Sequence, residues 1–295
     1  MKRIVAYGLL VLLVLAALTS FAAGEFFSRP ARHAIGAAPP DLRAVSVQLS
    51  TSRGDAVAGW FIRGDALKKM GAVLLLHGVR GDRLQMVPRA RWLASLGYSV
   101  LLVDLPAHGE STGDRITFGL REGEGVRAAL AYLRREVPGD PVGVIGVSLG
   151  AASTVLARLD PAPDAVVVES MYPDITEAVQ DRLAIRLGDK AGRWIASLLL
   201  VQIPLRLGVS LDDLRPIDAL PQLHAPVFVI AGSEDRHTRL EESQRLFAAA
   251  VQPKQFWVVQ GAAHVDLYDF DPRAYEAKVL PFLERNMRPS SGASR

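Results

Sequence analysis

Three residues, Ser148, Asp235 and His264, have the types and settings needed for nucleophilic acyl transfer. Ser148 is the centre of Gly-Val-Ser-Leu-Gly at 146–150, a G-x-S-x-G pentapeptide. On that pattern a sharp strand-to-helix turn holds a serine hydroxyl out of the sheet, where a base can reach it. The flanking Gly146 and Gly150 let backbone pack on backbone. Five residues alone recur by chance, so the setting carries the weight. Residues 142–147 form an apolar run that reads as a buried strand. Residues 149–159 (LGAASTVLARL) read as a helix with small residues at its start. A serine nucleophile needs a base, and the base needs an acid to orient it. Asp235 follows the apolar run 226–232 (PVFVIAG), and His264 follows 254–260 (KQFWVVQ). Glu234, Glu169 and Asp266 are rival acids. Asp235 is preferred because the loop it occupies is the commonest place for the orienting acid.

The tetrahedral intermediate of acyl transfer carries a full negative charge, usually held by two backbone N–H groups. The N–H of Leu149, next after the nucleophile, is one expected donor. The other is assigned to Val79, in the loop His77-Gly78-Val79 that follows the run 72–76 (AVLLL), with Gly78 giving the backbone freedom to turn inward. His77 reads as a strand-end residue that fixes this loop by hydrogen bonding. His108 reads as a loop-ordering residue, Asp104 as the cap of a strand end, and His237 as a solvated loop residue. No two histidines have metal-ligand spacing, so neither a metal nor another cofactor is expected.

These residues need strand ends to hold them. Residues 43–50 and 56–63 read as a strand pair with one exposed face. From residue 72 onward apolar runs alternate with helices at 82–96, 119–136 and 149–159, and 165–168 is a further buried strand. Such alternation argues an α/β class with a mostly parallel central sheet covered by helices on both faces. Residues 171–215 break the alternation with helical, apolar stretches, notably 194–207 (WIASLLLVQIPLRL). The stretch 195–207 has three compatible readings: packed on the core, lining an acyl-chain pocket, or dipping into a membrane interface. Residues 238–250 and 271–287 read as closing helices, 25–42 as a proline-containing linker, and 288–295 as a disordered tail.

The pieces LLLHGVRGDR (74–83), VLLVDLPAHGES (100–111), GVIGVSLG (143–150), VIAGSEDRHT (229–238) and GAAHVD (261–266) resemble, in order, the α/β-hydrolase superfamily. They look most like the serine-hydrolase branch with the monoacylglycerol lipases, the serine aminopeptidase-like hydrolases and membrane-tethered ABHD-type proteins. The resemblance covers residues 43–286. It implies the α/β-hydrolase fold, with residues 171–215 as a helical cap over the site. In one place the chain departs from the pattern. A Glu-x-x-Asp pair often follows the third strand's loop, whereas here Glu122 is followed by Gly125. That position lies off the triad and bears on local packing.

With 295 residues, 49% of them apolar, the chain is long enough for one large domain with a cap. A net charge of +3 and no basic run longer than two residues give no argument for nucleic acid. The absence of cysteine excludes a thiol nucleophile and any disulfide. Residues 4–24 contain no charge and follow Lys2-Arg3. Their length favours a retained single-pass anchor. Ser20-Phe21-Ala22 and Ala22-Ala23-Gly24 also fit signal cleavage, and a buried core helix is the third reading. The first two place the catalytic domain outside the cytoplasm if the N-terminus stays inside. The expected activity is serine hydrolysis of carboxylic esters, with a small-molecule, lipid-like or medium-chain acyl ester as substrate. Peptidase, thioesterase and acyltransferase chemistry would use the same residues. A non-catalytic interaction protein would usually lack a member of the triad.

Overall fold

Val, Ile and Leu dominate the short runs from residue 72 onward, and such side chains favour strands that are buried on both faces. The computed structural model describes residues 2–68 and 70–287. Eight strands form the main sheet: β1 (Val45–Ser50), β2 (Ala56–Ile62), β3 (Ala72–Leu76), β4 (Ser99–Val103), β5 (Val142–Val147), β6 (Ala165–Glu169), β7 (Val227–Gly232) and β8 (Lys254–Val259). Their order is β1-β2-β4-β3-β5-β6-β7-β8. β2 runs antiparallel to both of its neighbours, and every pairing from β4 to β8 is parallel. All the parallel strands therefore point their C-terminal ends the same way, and loops that follow different strands meet at one edge.

Strand alternation sorts the core into two layers. Leu74, Leu76, Val103 and Val144 face α3 (Glu122–Glu136) and α4 (Leu149–Leu156), with α9 (Leu240–Ala249) on the same side. Val73, Leu75, Leu102 and Ile145 face α2 (Val87–Leu96) and α11 (Pro272–Asn286), with the short α10 (Leu267–Phe270) between the last strand and α11. The helix expected over 82–96 begins as a 3-10 turn at Arg83–Met86 and becomes α-helical only at Val87. Pro88 explains the break. It lacks the N–H that an earlier helical turn would use, but it is at home in a first turn.

Between β6 and β7 the chain forms α5 (Ile175–Leu187), α6 (Asp189–Leu200), α7 (Gln202–Leu207) and the single turn α8 (Pro216–Ala219). Ala196, Leu200, Ile203 and Leu207 are buried on the core side, whereas Trp194, Val201 and Leu205 point outward, Leu205 being 86% exposed.

At the N-terminus α1 (Lys2–Ser28) is 27 residues long. Among the described residues no helix is long and apolar enough to cross a membrane, and the anchor expected from the sequence is not carried by them. Several side chains of the segment lie outside those residues. The core-helix reading is excluded, since Tyr7, Leu10, Val14 and Leu18 are exposed. The stretch 25–42 departs from a free linker. Ala31 and Arg32 pair in parallel with His108 and Gly109, and Glu110 accepts the N–H groups of Ile35 and Gly36 at 3.0 Å each. The prolines stop the helix, and the exposed backbone then finds partners on the domain. The tail 288–295 lies outside the described residues.

Candidate active site

Ser148 caps the start of α4 with φ 49 and ψ −103, a conformation that L side chains rarely adopt. Tight surroundings hold it there. A Cβ on Gly146 would come within 2.6 Å of the Ala151 nitrogen, and one on Gly150 within 2.6 Å of the Leu76 carbonyl oxygen. The Ser148 N–H donates to the Glu169 carbonyl at the end of β6, 2.8 Å away. β5 is thus gripped by β3 on one side and β6 on the other, right at the turn.

Asp235 and His264 come together because their loops are interleaved. The Glu234 N–H donates to the Ala262 carbonyl (2.9 Å), and the Gly261 N–H donates to the Ser233 hydroxyl (2.8 Å). His264 Nδ1 then donates to Asp235 Oδ2 at 2.7 Å, which leaves Nε2 as the basic nitrogen. Asp235 is buried and accepts three further bonds, from the N–H groups of His237 and Thr238 and from the Thr238 hydroxyl. Burial by itself would raise its carboxyl, but the His264 contact and the Thr238 donors outweigh it. The pKa lies below the ordinary aspartate value. The Ser148 hydroxyl is buried and has no hydrogen-bond partner among the described residues. No Ser148–His264 hydrogen bond is made among the described residues; catalytic hydrogen bonds are often long or poorly aligned without substrate.

Neither Leu149 N–H nor Val79 N–H donates to any group among the described residues. Both stay available for an oxyanion. Gly78 turns without a left-handed φ, so the backbone freedom expected of it is not called on, and a Cβ there would make ordinary contacts, 3.7 Å from Gln85 Oε1 and 3.9 Å from Ser148 Cβ. The left-handed residue of this loop is Arg80, φ 59. His77 braces the loop as its position suggested: Nδ1 donates to the Gly78 carbonyl (2.7 Å) and Nε2 accepts from the Leu105 N–H (3.0 Å). Burial, with His108 nearby, pushes its pKa down to about 3, so it stays neutral.

Two of the three rival acids are engaged elsewhere. Glu169 is fully buried and pairs with Arg89 at 2.7 Å; Asp266 caps α10 and also receives Arg89. Glu234 is exposed. Asp104 accepts the Arg83 N–H and guanidinium and the Glu110 N–H, each at 2.8–2.9 Å, tying down the loop after β4. His108 donates Nδ1 to the Pro106 carbonyl. His237 departs from a solvated loop residue. It is half-buried, its ring lies 5.0 Å from that of His264, and burial together with Arg182 lowers its pKa. At Gly125 a Cβ would come within 2.6 Å of Pro106, which explains the missing Asp. Glu122 holds the adjoining loop through Thr117 and Gly119.

Two positioning residues escaped the sequence reading. Gln85 accepts the Gly78 N–H at 2.9 Å and leans on Asp266 at 3.4 Å, joining the loop of Val79 to that of His264. Arg89 joins the same Asp266 to Glu169 beneath Ser148. Both lie on a stretch that reads as an ordinary amphipathic helix, and their partners Glu169 and Asp266 are 80 to 181 residues away.

Residues 73–278 match the profile of the family described as "Alpha/beta hydrolase family". The uncharacterised protein Rv2307c of Mycobacterium tuberculosis is 32% identical over 239 residues, covering 80% of this chain and 78% of its own. The polyketide transferase ATR5 of Stachybotrys chlorohalonatus is 23% identical over 82% of this chain and 97% of its own. Among solved structures, the Pyrococcus furiosus esterase Pf2001 superposes with a TM-score of 0.71 at 26% identity, over 89% of this chain and 99% of that one.

Proposed function

The chain belongs to the α/β-hydrolase family, and from that premise we propose that it is a serine esterase working through an acyl-enzyme on Ser148. His264 Nε2 takes the hydroxyl proton as Ser148 Oγ attacks the ester carbonyl carbon. The carbonyl oxygen becomes an oxyanion held by the Val79 and Leu149 N–H groups. Collapse expels the alcohol, which leaves with the proton from His264. Water then attacks the acyl-enzyme by the same route and frees the acid and Ser148. Asp235 stays ionised throughout and fixes the imidazole tautomer.

The observation that carries this reading is the 2.7 Å Asp235–His264 bond, taken with a serine in a strained turn and with the Leu149 and Val79 N–H groups that find no acceptor among the described residues. Similarity to a solved esterase supports the ester as the bond cleaved. The preferred substrate is a lipid-like or medium-chain acyl ester. The catalytic domain is proposed to sit at a membrane, outside the cytoplasm. The uncharged run 4–24 and the outward apolar side chains of α1 and of α6–α7 support both statements. Cell fractionation and a topology reporter fused after residue 287 check the location.

The activity test uses the full chain and Ser148→Ala against p-nitrophenyl esters from acetyl to palmitoyl. Turnover that vanishes in the variant supports the esterase. A chain that neither turns over esters nor is labelled by a fluorophosphonate at Ser148 overturns it. Acyl transfer to an acceptor other than water is a second reading, supported by the relative named as a polyketide transferase. Added alcohols that capture the acyl group in preference to water would establish it.

A further inference from the structure

We propose that Arg80 is a positioning residue that fastens the oxyanion loop to α1, so that the N-terminal helix is a working part of the active site. The proposal rests on the serine-esterase reading with Val79 as an oxyanion donor. Arg80 adjoins Val79 and is itself held in the left-handed region. Its guanidinium Nη1 donates to the carbonyls of Phe26 (3.3 Å) and Arg29 (3.4 Å), at the C-terminal end of α1. It also lies 5.3 Å from the centre of the Phe26 ring. Among the described residues no carboxylate lies within ion-pairing distance of it. What Arg80 holds is the negative end of a helix, where a cation is favoured.

That helix end is a fixed point. Gln202 donates to the Ser20 hydroxyl at 2.8 Å, Glu25 receives Arg206 at 2.8 Å and Arg115 at 2.6 Å, and the Ile116 N–H donates to the Ser28 carbonyl at 2.8 Å. α1 lies so close to α7 that a Cβ on Gly24 would meet the Gln202 Oε1 at 2.7 Å. The oxyanion loop is therefore braced on both sides of Val79. His77 and Gln85 hold it from inside the domain, and Arg80 holds it from α1. Loosening one side lets the Val79 N–H drift from where the oxyanion forms, and displacements of about 1 Å can cost on the order of a hundredfold in rate.

Oxyanion stabilisation is realised in the transition state, so the loss falls on kcat and spares KM. In the full chain, Arg80→Ala is expected to lower kcat about tenfold or more, with KM within twofold, an unchanged pH profile and an unchanged melting temperature. Arg80→Lys, which can still reach the carbonyls, is expected to restore most of the rate. Glu25→Ala, which removes the carboxylate that Arg115 and Arg206 hold at the end of α1, is expected to give the same kcat loss when assayed below its own melting transition. The double variant is expected to be no slower than either single one, because both act through one link. The proposal is overturned if Arg80→Ala keeps kcat within twofold, if the two losses multiply, or if the loss follows a falling melting temperature that Lys does not correct. Wild-type enzyme that neither hydrolyses esters nor reacts with a fluorophosphonate would instead sink the esterase reading beneath it. Wild-type activity with an indifferent Arg80 sinks only the present inference.

Discussion

Arg89 donates to Asp266 at 2.8 Å, and through that contact a helix on one face of the sheet holds the loop that carries His264. The same guanidinium meets Glu169 at 2.7 Å, and Tyr275 also donates to that carboxylate. Arg89, Glu169 and Tyr275 are all fully buried. Removing one member of a buried charge pair leaves the other uncompensated, which typically costs about 3–5 kcal/mol. Arg89→Met should lose stability on that scale in urea unfolding, and the catalytic rate should fall with it. Adding Glu169→Gln should recover part of the stability by removing the stranded charge. A double variant less stable than Arg89→Met would contradict this account.

Asp235→Asn tests the orienting acid without changing its shape. The amide cannot hold His264 in the required tautomer or stabilise the imidazolium, and a comparable change in a serine protease costs about 10⁴-fold in kcat. A loss of at least 10³-fold at neutral pH is expected here, with ester turnover as the readout. Retention of a tenth of the activity would move the acid role to another carboxylate.

Glu110 ties the 31–36 segment to the domain. The N–H groups of Gly36 and Ile35, with Arg83, hold its carboxyl down at about 2 against an ordinary 4.5. A folded pKa below the unfolded one means that the stabilisation is full above about 4.5. It declines as the pH falls and is gone near 2. Glu110→Gln should lower stability at pH 7 and flatten its acid dependence in this window, measured as unfolding free energy at pH 7, 4 and 3.

Glu242 behaves in the opposite sense. Burial and the neighbouring Asp181 push its pKa up to about 9. Asp181 Oδ2 is buried without a partner among the described residues, and a proton on Glu242 supplies the missing donor. Here the folded pKa exceeds the unfolded one. Stability is full below about 4.5 and is lost as the pH climbs towards 9. Glu242→Gln keeps a donor at every pH and should abolish that loss. Unfolding curves at pH 6 and 9 that remain as different as in the wild type would refute it.

Local signals made much of the site legible. An apolar run followed by Gly-x-Ser-x-Gly announces its own turn, and Asp235 and His264 each follow a strand by a few residues. Pro88 could have warned that the helix over 82–96 starts late. What the sequence hides is the bracing. Gln85 and Arg89 look like solvated helix residues, yet one joins two loops and the other is wholly buried. Their partners Glu169 and Asp266 are brought near only by the sheet order β3-β5-β6-β7-β8. Gly24 misleads in the same way. It reads as part of a small-residue cleavage pattern, whereas in the fold it faces the side-chain ends of Gln202 and Arg206 where α1 meets α7.

The docking of α1 also has a consequence in time. Ser20 meets Leu198, a residue 178 positions later in the chain. At ordinary synthesis rates of about 5–20 residues per second, the helix waits roughly ten to thirty-five seconds before its seat exists. During that interval its apolar side chains are open to whatever reaches them first, and α6 and α7 arrive as late competitors. The seat of α1 against α6 and α7 is complete only once residues 198–206 have been made.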